Sequence, residues 1–166
     1  MNIKLLNVLI LFFHLSLFIF ACSDTSLIDY VPRNEEEEKI ISLLIRYQEA
    51  RSKFDLENYL ACLHEKGVFN YASRVMLSKN ELSEALPIFW LQLQKGSRLF
   101  FPMCRENLSG NYFVHFKLVN PIIVIDQNTA SATLTYVNSG WRLGHYILMK
   151  KENNRWLIYM LDWKTG

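Results

Sequence analysis

The sequence predicts an α+β fold in which three N-terminal helices pack on one face of a curved antiparallel sheet. Three observations lead there. Between Asn34 and Leu93 apolar residues recur at helical spacing behind capping residues. From Arg98 onward, strand-like runs alternate with the turn-rich separators NLSG, DQN, NSG and ENN. Connections that short join antiparallel neighbours, so helices precede a meander instead of alternating with strands.

The elements follow in order. Residues 23–34, SDTSLIDYVPRN, show no helical period and contain Pro32, and they read as a tether. Asn34 is a good N-cap with Glu37 three residues on, and the four acids Glu35–Glu38 suit the positive end of a helix better than a metal. Ile40, Leu44, Tyr47 and Phe54, widened by Ile41, Leu43 and Ala50, give a first amphipathic helix of about five turns. Asp55 caps a second helix, LENYLACLH, which places His64 at its C-terminal end and Gly67 as its stop. In GVFNYASRVML, Phe69, Tyr71, Val75 and Leu77 share a face, as in a hairpin turning near Ala72 and Ser73. Ser78 to Glu81 is a capping box opening a third helix, whose inner face carries Leu82, Leu86, Phe89, Trp90 and Leu93; Pro87 inside it should kink or divide it. The strands are then LFFPMCRE, YFVHFKLVNPIIVID, ASATLTYV, WRLGHYILMKK and RWLIYMLDWK.

The chain has 166 residues, about half of them apolar, with 11 Phe, 8 Tyr and 4 Trp, so it can bury the core of one globular domain. Net charge is +2, and the lysines and arginines are scattered, which argues against nucleic acid as a partner.

The N-terminus speaks to location. Lys4 precedes a run from Leu5 to Ala21 broken only by Asn7, His14 and Ser16, the order of a secretory signal. A retained membrane helix is the alternative, but the run is short of the roughly 20 apolar residues a span needs. Ile19-Phe20-Ala21-Cys22 resembles the bacterial lipobox, with Ile where that pattern prefers Leu. The resemblance implies that residues 1–21 are removed and that Cys22 is acylated. Residues 22–34 then form a lipidated tether, and residues 35–166 the domain. Two or three acyl chains suffice for stable anchoring, at about 0.8 kcal/mol per buried CH₂. Ser23 in place of an Asp retention signal implies the outer membrane in a Gram-negative cell envelope. The alternative reading of Cys22 is an ordinary apolar residue.

Residues 35–166 resemble the nuclear transport factor 2-like superfamily, which includes SnoaL-like and ketosteroid isomerase-like domains. The residues that carry the likeness are Arg46-Tyr47, Ala50, Asp55-Leu-Glu57, the aromatic strand that follows, Ser78 to Leu82, and Trp156-Leu-Ile158 through Asp162-Trp163. The resemblance implies a cone with a cavity between helices and sheet. It places Tyr47 where the isomerases present a Tyr to a developing oxyanion. Their Asp base falls on Tyr71, and a Tyr with an ordinary pKa near 10 stays protonated at neutral pH.

Acid–base chemistry needs titratable groups that converge, and this chain has few. Asp162 shares strand parity with Trp156, Ile158 and Met160, so it either enters the cone or sits solvated at the open end of a strand. His145 shares a face with Leu143, Ile147 and Met149, while His115 shares one with Lys117. No spacing suggests a metal site, and no cofactor is expected. Cys62 and Cys104 remain for the fold, as a disulfide or as two thiols. The sequon Asn107-Leu-Ser109 carries little weight in a bacterial lipoprotein. Three functions follow. The first is a non-catalytic, membrane-anchored domain that takes a small apolar ligand or a protein partner, with Tyr47, Phe69, Tyr71, Phe89, Trp90 and Trp156 as candidate pocket residues. The second is a lyase or isomerase using Asp162 or His145 with Tyr47. The third is an assembly protein forming a homodimer through the sheet.

Overall fold

The computed structural model describes residues 24–72, 75–94, 104–106, 112–114, 116–138 and 141–164. Helix α1 (Glu35–Lys53) opens where the caps place it: Asn34 Oδ1 accepts from the Glu37 N–H at 2.9 Å. It ends at Phe54, whose positive φ of 56° turns the chain out of the helix. Its buried face is Ile40, Ile41, Leu43, Leu44, Tyr47 and Ala50, with Glu37 beside them. Asp55 caps the short helix α2 (Leu56–Ala61). That helix stops earlier than its sequence suggests. His64 and Gly67 belong instead to strand β1 (Leu63–Ala72), which pairs antiparallel with β2 (Val75–Ser78). Helix α3 (Lys79–Gln94) starts from a reciprocal capping box, Ser78 N–H to Glu81 Oε2 at 2.8 Å and Glu81 N–H to Ser78 Oγ at 3.4 Å. It continues undivided through Pro87 and buries Leu82, Leu86 and Trp90.

Strands β3 (Cys104–Glu106) and β4 (Tyr112–Val114) form a separate antiparallel pair. The meander is β5 (Lys117–Asp126), β6 (Thr129–Asn138), β7 (Trp141–Glu152) and β8 (Arg155–Lys164). The sheet order is β2-β1-β8-β7-β6-β5. The turn signals do not foretell the join between its two halves: β1 runs parallel to β8, with Phe69 opposite Leu161. His115 and the sequon at Asn107 lie outside the described residues, as does Cys22. No helix among the described residues is long and apolar enough to cross a membrane.

Gly67 is a packing residue rather than a helix stop. A Cβ there would stand 2.7 Å from the Tyr159 carbonyl oxygen and collide with the Phe69 ring. Neither neighbour can yield cheaply, because Phe69 is fully buried and Tyr159 sits within β8. Gly67→Ala is expected to destabilise the fold by about 1–3 kcal/mol. Thermal unfolding followed by circular dichroism should then show Tm lowered by roughly 3–10 °C, and an unchanged Tm would contradict this packing.

Residues 24–34 are not a free tether. Thr25 and Asn120 exchange two hydrogen bonds, of 2.9 and 2.8 Å, and Ser26 forms a bridge with Val119 on edge strand β5. Asn120 has a positive φ of 54° at a bulge beside Pro121, which opens this edge to the strap. Leu27 is 1 % exposed and belongs to the core. The Asp24 carboxylate takes both Arg142 Nη atoms, at 2.8 and 2.7 Å, and the Asn120 amide at 2.9 Å. Those partners hold its pKa down to about 2. Further along, the buried Glu37 carboxylate receives the Arg33 guanidinium at 2.6 Å, the Arg33 N–H and the Tyr30 hydroxyl. The strap covers an exposed sheet edge, a common device against edge-to-edge pairing.

Candidate functional site

A buried polar group links α1 to β7. Tyr47 and His145 are both fully buried. Helical spacing puts Arg51 one turn after Tyr47, and its Nη1 donates to the Tyr47 oxygen at 3.0 Å. Tyr47 Oη lies 3.5 Å from His145 Nε2, and His145 Nδ1 lies 3.2 Å from the backbone oxygen of Asp162. That backbone oxygen can only accept, so Nδ1 carries the ring proton and Nε2 offers its lone pair to the Tyr47 hydroxyl. The bonds run one way, from Arg51 through Tyr47 and His145 to β8. Burial, reinforced by the charge of Arg51, lowers the His145 pKa to about 3.

Rings close around this chain. Tyr47 has Tyr59 at 5.4 Å, Phe116 at 5.7 Å edge-on and the His145 ring at 6.2 Å, stacked. Phe116 meets Tyr136 at 4.7 Å and carries the Arg51 guanidinium over its face at 4.4 Å. Trp90 of α3 completes the wall against Tyr59 and Phe54. Burial holds the Tyr59 phenol well above its ordinary pKa, so it stays protonated. Neutral His145 retains a basic nitrogen, but a pKa near 3 makes it a weak base at neutral pH.

Asp162 is on the other side of the sheet. Strand parity fails because Met149 pairs with Ile158 whereas Leu148 pairs with Met160, leaving Tyr159 as an extra residue in β8. After this bulge Leu161 faces inward opposite Ile147, and Asp162 faces outward opposite Tyr146. Its Oδ1 accepts from the Asn70 amide at 3.3 Å, while Asn70 Oδ1 is buried without a partner. The reading of Asp162 as a base inside the cone, beside Tyr47, is therefore corrected.

The pocket candidates whose side chains are described are all part of the hydrophobic core or packed against it. Tyr47 and Trp90 belong to the cluster just described. Phe69 is buried against Gly67, and Phe89 is half-buried on α3. Trp156 sits near the start of α1, where its indole N–H donates to Glu36 at 2.9 Å. The Tyr71 side chain lies outside the described residues. Cys62 is a free, buried thiol donating to the Asn58 carbonyl at 3.3 Å, and burial raises its pKa. Cys104 is in β3, with its side chain outside the described residues. His64, placed by sequence at a helix end, is nearly buried in β1, 3.5 Å from Glu152. Arg51, Tyr59, Phe116 and Tyr136 escaped the sequence reading. Only Arg51 left a signal, its position four residues after Tyr47.

Among the described residues, concavities also lie outside this cluster. One, of about 450 Å³, is lined by residues of α1 and of the β7–β8 turn and the start of β8, among them Lys39, Arg46, Arg155 and Trp156. Another, of about 240 Å³, lies between α1 and α2, and Arg46 lines it too.

No protein-family model matches the chain, and no curated protein matches it. Solved structures do. A protein of unknown function from Pseudomonas putida, described as NTF2-like, superposes with TM-score 0.60 at 12% identity, covering 79% of this chain and 87% of that one. A Nostoc punctiforme protein with a cystatin-like fold gives TM-score 0.57 at 20% identity, covering 80% and 93%. A proposed dehydratase of the NTF2-like family from Streptomyces avermitilis gives 0.58 at 11%, covering 76% and 92%. Helices packed on one face of a curved, unclosed and mainly antiparallel sheet make this a nuclear transport factor 2-like fold.

Proposed function

We propose that the protein is a lipid-anchored binding domain of the bacterial cell envelope. In this reading it performs no catalysis and engages a protein partner from its exterior. The observation that supports this most is the closed cluster at Tyr47 and His145. The place where the superfamily's enzymes work is occupied here by five rings, a guanidinium and a hydrogen-bond chain that uses the groups a reaction would need. The open concavity beside Arg46, Arg155 and Trp156 is instead polar-rimmed and accessible.

Native mass spectrometry of the detergent-solubilised protein tests this. The expected species lacks residues 1–21, carries acyl mass on Cys22 and holds no small molecule, and cross-linking from Arg46 or Arg155 captures a protein. A co-purifying apolar molecule lost in a Tyr47→Ala form would overturn the exterior reading. A second reading, assembly through the sheet, draws support from the outer face. Val124, Ser131, Leu148, Met160 and Val68 stand in one register row, and Val124 and Val68 are exposed. Sedimentation equilibrium separates the two: a dimer dispersed by Leu148→Lys favours assembly. The catalytic reading keeps the adjacency of Tyr47 and His145, but His145, with its pKa lowered to about 3, is a weak base at neutral pH.

A further inference from the structure

The docked strap has a geometric consequence for how the domain meets a bilayer. A flexible segment of a dozen residues between an acylated Cys22 and α1 would have an r.m.s. span of about 20 Å. Here that slack is already used. Asp24 is held by Arg142 and Asn120, Thr25 by Asn120, Leu27 by the core, and Arg33 by Glu37 and the Ile123 carbonyl. Ser23 alone separates Asp24 from Cys22, so at 3.8 Å per peptide the two Cα atoms are at most about 7 Å apart.

Asp24 also lies toward one particular end of the sheet. Arg142 pairs with Val137, which pairs with Lys117, so Asp24 is fixed where β5 and β7 begin. The opposite end carries the Asp126–Thr129 and Glu152–Arg155 turns, about 30 Å away along ten-residue strands. From Asp24 the strap runs along β5 to the start of α1.

We propose that the protein stands on its membrane without a linker, with the Lys117–Arg142 end of the sheet at the lipid headgroups and the β7–β8 turn held away from them. This rests on the lipidation of Cys22 proposed above. The partner surface is the phospholipid bilayer that holds the protein's own acyl chains. Exposed Lys117 and Arg142 are side chains that tolerate that contact. The concavity beside Arg155 and Trp156 then faces the aqueous side, at a fixed height of roughly a strand length.

The test uses the native lipidated protein in phosphatidylcholine–phosphatidylglycerol vesicles. A genetically encoded fluorescent amino acid replaces either Lys117 or Asn154, and a quencher is attached to lipid headgroups. The expected result is quenching at position 117 several-fold stronger than at 154. Ten Gly/Ser residues inserted between Ser23 and Asp24 should erase the difference. Equal quenching at both positions in a protein that co-floats with vesicles overturns the proposal and leaves the lipid anchor standing. A protein that does not co-float contradicts the anchor itself, and the proposal falls with it.

Discussion

Arg33→Ala is expected to destabilise the fold, because it leaves the Glu37 carboxylate without its charge partner. The Glu37 carboxylate is fully buried, and the guanidinium is its charge partner. Removing a partner from a buried pair costs about 3–5 kcal/mol because the remaining charge is stranded. Here the loss is smaller than for a pair buried on both sides, because the Arg33 side chain is 67% exposed and water screens part of the attraction. The same change removes the bond from Arg33 Nη2 to the Ile123 carbonyl, so the strap should loosen with it. Urea unfolding followed by tryptophan fluorescence reads the loss. Adding Glu37→Gln should recover part of it, because the stranded charge is then gone. A double variant no more stable than Arg33→Ala would count against the buried ion pair as the cause. The arrangement also fixes a sign with pH. Arg33 holds the Glu37 pKa below its ordinary value. Its contribution is therefore full above the ordinary carboxylate range and is lost as pH falls through the lowered folded value.

Acid sensitivity should begin earlier than carboxylates alone would allow. An unfolded histidine titrates near 6.5, and folded His145 near 3, so the unfolded chain binds the proton first. Stability is then full above about pH 6.5 and falls on acidification by about 1.4 kcal/mol per pH unit until the folded value is reached. Between pH 6.5 and 4.5, above most carboxylate titration, the loss should be roughly 2–3 kcal/mol. In His145→Asn that slope should flatten by one proton. A slope unchanged in the variant would assign the acid lability to other groups.

Features set by neighbours in sequence were legible. Asn34, Asp55 and the Ser78–Glu81 box cap helices as read, because a cap is a contact over three residues. The stripe on α1 and the antiparallel meander follow from periodicity and turn chemistry. Features that depend on a break in periodicity were not. One extra residue at Tyr159 reverses every later side chain of β8, and strand parity cannot show it. The parallel pairing of β1 with β8 joins segments some ninety residues apart, with no local mark. The strap reads as a tether because it docks through isolated contacts, Asp24, Thr25, Leu27 and Arg33, which carry no period. Tyr47 and His145 were each visible as candidates. Their meeting, and the rings that enclose them, arise only when α1 lies across the sheet.

The account turns on whether the Tyr47–His145 pair is part of the fold's interior structure or a working base. Nitrogen-15 NMR of the histidine rings decides it directly. The account predicts one imidazole with a protonated Nδ1 and a bare Nε2, unchanged from pH 7.5 to 4.5 and perturbed by Tyr47→Phe. If the resonances of His145 titrate with a midpoint near 6.5, its ring is solvated and available for proton transfer, and the reading of a closed, non-catalytic interior is contradicted.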